Sequence, residues 1–375
     1  MINVLELIDG GFIGGGQLQT LSLCRNLNAG LIKPVVCASS DGGFKDMVLD
    51  NGYCFKDIKL PKIYRSKYLK ELNRIIESEN IDLVHAHGGV AGMYARFYKK
   101  NYKNNIKVLH TIHGIHYIHS KNIIRRKLSL YIEQYLSDYS DAYICETNSD
   151  FKTASELRII NPSKTEVIYN GINLSKFASG NTDNSVGMEL GIGKGDFVVG
   201  NVSRFDEQKN QKRLVEILPD LIKQIPEVKL LLVGDGYLME SVKNLANKYG
   251  VTDRVVFAGA RNDLFNIYPL IDVFVFPSLW EGLSLTLLEA LASGKSIIAG
   301  SIPSNQEIIN DGVDGLLFNL NNKSELIEKV VSLYINKDKR RLLSDNAHKS
   351  SERFNEKHMT ERTEQLYIKL INNSK

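Results

Sequence analysis

The chain predicts a doubly wound α/β architecture repeated twice in tandem. Three observations lead there. Short apolar, strand-like runs alternate with helix-length runs; the alternation starts afresh after the polar, turn-rich stretch Ala178-Ser-Gly-Asn-Thr-Asp-Asn-Ser-Val186; and 375 residues suit two domains of ordinary size. A hydrophobic content of 43% and a charged content of 24% are those of a globular chain able to bury two cores.

In order, the first half reads as a strand at Asn3–Ile8, a helix near Gln17–Leu27, a strand at Val35–Ala38, a helix near Lys67–Glu79, and strands at Leu83–His85, Lys107–Thr111 and Ala142–Cys145. The second half repeats the scheme with a strand at Phe197–Val202, a helix near Asn210–Gln224, a strand at Lys229–Val233, a helix near Leu238–Tyr249, and strands at Val255–Ala258, Val273–Phe276 and Ser296–Ala299. A last helical stretch covers Glu356–Ile371. The expected domains are 1–180 and 187–355, with residues from about 356 to 375 following the second. Tandem open sheets aim their ligand loops at an interdomain cleft, the expected place for a large two-part substrate.

Composition excludes several classes. The amino terminus has no basic n-region, so Met1–Asp9 is expected to be a first strand and not a signal peptide, and no run approaches the ~18 apolar residues of a membrane span. Cys24, Cys37, Cys54 and Cys145 form no C-x-x-C pair, which favours buried thiols in a cytoplasmic protein. Residues 1–180 carry 23 Lys+Arg against 17 Asp+Glu, leaving 24 against 26 for the rest. Within that basic half, Tyr94-Ala-Arg-Phe-Tyr-Lys-Lys-Asn-Tyr-Lys103 and Lys121-Asn-Ile-Ile-Arg-Arg-Lys127 mix cations with apolar groups. They read either as solvated helix faces or as weak contacts with an anionic membrane surface on the inner face of the cytoplasmic membrane. No nucleic-acid module accompanies them.

The richest stretch is Phe276-Pro-Ser-Leu-Trp-Glu-Gly-Leu-Ser-Leu-Thr-Leu-Leu-Glu-Ala-Leu-Ala-Ser-Gly294, where an apolar strand becomes a helix. Glu281 lies in the loop at the strand's carboxyl end, the ligand-binding edge of an open sheet, and Glu289 lies in the helix. Leu287, Leu288, Ala290, Leu291 and Ala292 make that helix apolar nearly all round, so Glu289 needs a partner. This segment resembles the retaining glycosyltransferases of family 4, whose hallmark is E-x7-E inside P-S-x-x-E-G. Val167-Ile-Tyr-Asn-Gly-Ile-Asn-Leu-Ser-Lys-Phe177 and Val202-Ser-Arg-Phe-Asp-Glu-Gln-Lys-Asn210 extend the resemblance over nearly the whole chain. It implies the GT-B arrangement of two Rossmann-like domains with an interdomain cleft and a C-terminal crossover helix returning to the first. It also implies that Glu281 lies by the donor sugar and that Glu289 binds the ribose hydroxyls.

Further candidates follow the strand ends. Gly10-Gly-Phe-Ile-Gly-Gly-Gly-Gln17 joins the first strand to the first helix, where backbone amides can approach an anion closely, although the loop is no dinucleotide fingerprint. The resemblance matches Gly14 and Gly15 to the family's pair beside the donor diphosphate. Arg204 and Lys209 offer one forked and one point cation for a diphosphate, with solvated surface charge as the alternative; the matching family residues bind that diphosphate. Ser203 stands where the family often has glycine. Arg261 and Asn262 occupy a loop that in the family lies against the nucleotide base. Gly282, Leu283, Ser284, Leu285 and Thr286 follow Glu281 at a helix start whose amides can meet phosphate or sugar hydroxyls.

Six of the eight histidines are His85, His87, His110, His113, His116 and His119. The last four recur every third residue, but no thiol or carboxylate lies within their run, so a metal site is not expected. His113 in Thr-Ile-His-Gly matches the family position contacting the donor sugar near the reacting carbon; His110 and His116 are candidates for acceptor contact. Gly294-Lys-Ser296 imitates the end of a P-loop, but Glu289 stands where its first glycine belongs. There is no Asp-x-Asp platform for a divalent cation, so no cofactor or metal is expected. The resulting expectation is a retaining, metal-independent hexosyltransferase. It would use a UDP- or GDP-linked sugar and a glycan or lipid-linked acceptor in the synthesis of O-antigen, capsule or exopolysaccharide. A GT-B sugar-nucleotide epimerase and a non-catalytic sugar-nucleotide-binding scaffold are the rival readings.

Overall fold

The computed structural model describes residues 1–103, 105–178 and 184–373; most of the linker expected at 178–186 lies outside the described residues. The chain forms two compact units, Met1–Ile172 with Glu356–Lys375, and Asn173–Asn355. The division falls after Ile172, earlier than the polar stretch suggested, because Leu174–Ala178 forms a short helix whose Phe177 packs edge-on against Tyr268 of the second unit.

In the first unit, β1 (Ile2–Ile8), β2 (Ile32–Ala38), β3 (Cys54–Asp57), β4 (Leu83–His87), β5 (Lys107–Ile112), β6 (Ala142–Cys145) and β7 (Thr165–Val167) make one parallel sheet in the order β3-β2-β1-β4-β5-β6-β7. The order reverses between β1 and β4, which opens a crevice at their carboxyl ends. The pleat sends Leu5, Leu7, Val84, Ala86 and Val108 to one face, under the helices Lys67–Ser78 and Gly88–Tyr102. Val4, Leu83 and Leu109 point the other way, to Met359, Leu366, Tyr367 and Leu370 of the terminal helix Glu356–Asn372. Each fully buried aliphatic side chain stabilises this packing by about 1.5–3 kcal/mol.

In the second unit, β8 (Phe197–Val202), β9 (Val228–Val233), β10 (Val255–Gly259), β11 (Val273–Phe276), β12 (Ser296–Gly300) and β13 (Leu316–Phe318) form a parallel sheet in the order β10-β9-β8-β11-β12-β13. Its switch point lies between β8 and β11. These two strands are buried along their whole length, which is why they read as apolar runs, broken in β8 only by the buried Asn201.

The structure corrects one surface expectation. Tyr94, Arg96 and Tyr98 are fully buried, and Lys99 pairs with Asp141 at 2.9 Å, so these members of the stretch 94–103 face inward and only its end, with Lys103, is exposed. Arg96 gives its guanidinium to Glu133 at 2.7 Å. The second stretch behaves differently. On the helix Ile123–Leu136, the side chains Ile124, Leu128, Tyr131 and Tyr135 form an exposed apolar stripe at i, i+4, i+7 and i+11, beside exposed Arg125, Arg126 and Lys127. Among the described residues no helix is long and apolar enough to cross a membrane.

Candidate functional site

In the second unit Arg204, Lys209 and Glu281 gather at the β8/β11 switch point, while Arg261 and Asn262 follow the edge strand β10. The loop after β8 is pinned from several sides. Asn201 donates to the Val275 carbonyl at 2.8 Å, Gln211 donates to Ser203 Oγ and the Arg204 carbonyl at 2.8 Å each, and the Leu279 amide donates to the Gln208 carbonyl at 2.8 Å. A Cβ on Gly234, whose φ is +133°, would collide with the Ser203 carbonyl, so the β9 loop presses directly on this turn.

On that frame the carboxylate of Asp206 takes Arg204 Nε at 2.8 Å and the Lys209 amide at 3.1 Å. The Arg204 side chain is 69% exposed and reaches into solvent. Lys209 Nζ crosses the switch point to Glu281 Oε1 at 2.6 Å, and Gln208 Nε2 holds Glu281 Oε2 at 2.9 Å. The Lys209 ammonium also lies 5.2 Å from the centre of the Phe276 ring. One cation therefore lies exposed at the surface, tethered to Asp206, and one is fixed against the carboxylate it must leave, or share, when an anion arrives.

Glu289 lies one helix turn into Leu285–Ala292 and is half-buried; Tyr268 Oη donates to its Oε2 at 3.0 Å. Burial pushes its carboxyl up to about 7, against the smaller opposing effects of Tyr268 and Lys176. At the start of this helix the Ser284 side chain makes no capping hydrogen bond, and Gly282, Leu283 and Ser284 are buried beside it, followed by the half-buried Leu285 and Thr286. Arg261 is occupied: it pairs with Asp263 at 2.7 Å and with Glu189 at 2.5 Å, and the neighbouring Asn262 is exposed. In the P-loop look-alike, Gly294 ends the helix at φ +57°, and Lys295 Nζ donates to the Ile271 carbonyl at 3.2 Å, a structural use of that sequence.

In the first unit, Gly14 precedes the helix Gly15–Asn26 in an extended conformation with no side-chain cap. Gly11 is packed so tightly on Ser39 and Asp41 that no Cβ fits, which holds the loop at the end of β1. His113, just past β5, is joined to Glu146, just past β6, at 2.5 Å and to His87 of β4 at 3.3 Å. His116 stands exposed on the short turn His116–His119. His110 corrects an expectation: it is 2% exposed, its Nε2 meets the Gly88 carbonyl at 3.1 Å, and its ring fills the space a side chain on Gly92 would take. The pleat turns it inward under a helix, so it is out of an acceptor's reach.

Sequence reasoning missed Gln208, Asp206, Tyr268 and Glu146, which hold the candidate groups, and a buried cluster of Glu6, His85 and His87. Glu6 inside an otherwise apolar strand, and His85-x-His87 at strand period, were readable signals. The ligand atoms of these three converge within 4.8 Å. They face protein partners, however: His87 Nε2 and Glu6 Oε2 are 2.8 Å apart, Tyr367 Oη donates to Glu6 Oε1 at 2.8 Å, and His85 Nε2 meets Thr111 Oγ1 at 2.7 Å. The donor set fits a hydrogen-bonded network better than a cation.

Residues 188–350 match the family described as Glycosyl transferases group 1, and residues 13–176 match Glycosyltransferase Family 4. An Escherichia coli protein named UDP-Gal:alpha-D-GlcNAc-diphosphoundecaprenol alpha-1,3-galactosyltransferase is 30% identical over 311 residues, 82% of this chain and 80% of that one. The chain belongs to glycosyltransferase family 4. The alpha-monoglucosyldiacylglycerol synthase of Streptococcus pneumoniae is 28% identical to this glycosyltransferase over 71% of its chain and 61% of the relative's. The fold is also that of Anabaena Alr3699/HepE, solved in complex with UDP and glucose, with a TM-score of 0.87, 20% identity, and coverage of 98% of this chain and 100% of that one. The protein is thus a glycosyltransferase of GT-B fold that uses a nucleotide sugar.

Proposed function

We propose that this glycosyltransferase is a retaining, metal-independent enzyme that moves a hexose-type unit from a UDP-linked sugar to a lipid-linked acceptor in the synthesis of a surface polysaccharide. The observation that carries the reading is the Lys209–Glu281 pair across the β8/β11 switch point, with Arg204 beside it. Arg204, Lys209 and the helix-start amides of Ser284, Leu285 and Thr286 supply the positive charge that a departing diphosphate requires. Glu281 is held by both oxygens in position to accept from sugar hydroxyls, and Glu289 is available to the ribose. The departing phosphate takes the acceptor's proton on the face from which it leaves, which retains the anomeric configuration without a dedicated protein base. His113 supports the sugar, as the family pattern implies.

The acceptor class is supported by the exposed stripe Ile124, Leu128, Tyr131 and Tyr135. Ile124 and Leu128 also line a cavity of about 800 Å³ with Lys62, Tyr117, Arg125 and Ile132. Apolar side chains flanked by cations suit a lipid chain with an anionic headgroup and the inner surface of a membrane. The two named relatives, one acting on a diphosphoundecaprenol-linked sugar and one making a monoglucosyldiacylglycerol by their names, point the same way.

The test is transfer from UDP- and GDP-linked sugars to a short-chain polyprenyl diphosphate glycan, with and without EDTA, and with the product's anomeric configuration read by NMR. Retained configuration, insensitivity to EDTA and loss of transfer in Lys209→Ala and Glu281→Ala are expected. An inverted product, or wild-type rates in either variant, overturns the assignment. Conversion of the donor without any acceptor would instead favour an epimerase.

A further inference from the structure

The face of the first sheet beneath the terminal helix carries a row of polar side chains aligned by the pleat: Glu6 on β1, His85 and His87 on β4, Thr111 on β5 and His113 two residues on. Glu6 and His85 are direct register partners, and His87 and Thr111 are partners on the next pair. Tyr367 comes down from the terminal helix onto Glu6. The row is continuous from Tyr367 through Glu6 and His87 to His113 and Glu146, and apart from His113 its members are at most 2% exposed.

Donor and acceptor counting fixes the proton on His87, whichever way His85 Nδ1 and Tyr367 Oη share theirs at 2.5 Å. The Glu6 carboxylate only accepts: from Tyr367 Oη at 2.8 Å and from His87 Nε2 at 2.8 Å, with His85 Nδ1 at 3.1 Å. His87 therefore carries its proton on Nε2. Burial, with His85 beside it, holds the His87 ring neutral, down to about 3, so its Nδ1 is bare and must accept. The atom facing that Nδ1 is His113 Nε2 at 3.3 Å. The two ring centres are 5.4 Å apart with 23° between planes. With the nearest nitrogens so much closer than the centres, the rings lie end to end and nearly coplanar, the arrangement in which an N–H points at a lone pair. His113 must donate there. Its other nitrogen, Nδ1, lies 2.5 Å from Glu146 Oε1, a second acceptor.

We propose that Glu6 and His87 are positioning residues that keep His113 doubly protonated, a fixed imidazolium with both N–H groups committed to the protein. Resting on the transferase reading above, this makes His113 a fixed positive charge, and not a base for the acceptor. The groups around it agree in sign. Asp9 after β1, Glu146 after β6 and Asp150 in the helix Asn148–Glu156 all favour the charged ring, and against the opposing burial they raise its proton affinity above that of a free histidine. His87 and His110 are the cationisable neighbours; burial, with nearby charges, holds both neutral. Around Glu6 the other titratable groups are His85, Tyr367 and the buried Cys24 thiol.

The experiment is ¹⁵N NMR of the histidine rings in the full-length protein, with His113 assigned by its loss in His113→Gln. At pH 7 the wild type should show both His113 nitrogens as N–H; a bare nitrogen on His113 overturns the proposal without any variant. Glu6→Gln can turn its amide N–H toward His87, flip that tautomer and leave His113 Nε2 as an acceptor, so His113 should become neutral at pH 7. An imidazolium unchanged in folded Glu6→Gln removes Glu6 from the role. Tyr367→Phe, which keeps the carboxylate, should leave His113 charged, and a neutral ring there also counts against the scheme. In activity, the alkaline limb of kcat should move down by about one pH unit in Glu6→Gln with little change in KM. A wild-type protein inactive with every donor would sink the transferase reading while leaving the spectra to decide the proton count.

Discussion

Glu289→Gln should make the protein more stable and worse at holding a nucleotide, two effects of opposite sign from one atom change. The carboxyl is raised from 4.5 to about 7 by burial, so the folded protein holds its proton more tightly than the unfolded chain does. Below pH 4.5 the group is protonated in both states and costs nothing. As pH rises toward and through 7 the folded protein must bear a poorly solvated charge, and at about 1.4 kcal/mol per tenfold change the penalty approaches about 3 kcal/mol at pH 8. Glutamine keeps an acceptor for Tyr268 and removes the charge. Thermal unfolding should therefore show the variant several degrees more stable at pH 8 and equal to the wild type near pH 4.5. Calorimetric titration with UDP should show the reverse: wild-type affinity rising between pH 6 and 8 as the ribose-binding carboxylate forms, and a loss of about 10- to 100-fold in the variant at pH 8, the scale of a hydrogen bond to a charged group. Equal melting at pH 8 refutes the buried-charge argument. Equal nucleotide affinity refutes the ribose role.

Other consequences are simpler to test. Gly234→Ala adds a Cβ where φ is +133° and the Ser203 carbonyl blocks it, so about 1–3 kcal/mol of stability should go in denaturant unfolding, with weaker UDP binding as the Arg204 turn shifts. Glu133→Ala leaves the fully buried Arg96 without its carboxylate and should cost about 3–5 kcal/mol, read in the same assay. Ile124→Asp with Leu128→Asp, at side chains 80% and 57% exposed, should abolish cosedimentation with anionic vesicles while leaving the melting temperature unchanged; retained binding would remove this stripe from the membrane contact.

The inner strands were legible because a strand buried on both faces must be largely apolar, as β11 is throughout and β8 is but for Asn201. The edge strands β3, β7 and β13, three or four residues each, carry too short a pattern to stand out. The burial of Arg96 within the stretch 94–103 is not legible in the sequence because a cation's burial depends on its partner, and Glu133 lies 37 residues from Arg96. His110 was misjudged for a related reason: strand direction sets which face a side chain takes, and the spacing of four histidines across a strand end mixes both faces.

By itself the sequence determined that the chain is two doubly wound α/β units with chemistry at strand ends, since local periodicity and short motifs carry that information. It also determined that Glu281, Arg204 and Lys209 belong to loops at the carboxyl edge of one sheet and that Glu289 lies in the helix that follows Glu281. Only the tertiary structure decided which of these groups touch: that Lys209 closes on Glu281 across the switch point, that Arg261 is spent on Asp263 and Glu189, and that Tyr367 near the chain's end reaches Glu6 near its start. Such pairings depend on strand order and register, which non-local packing sets, and a partner 361 residues away leaves no mark in the local pattern.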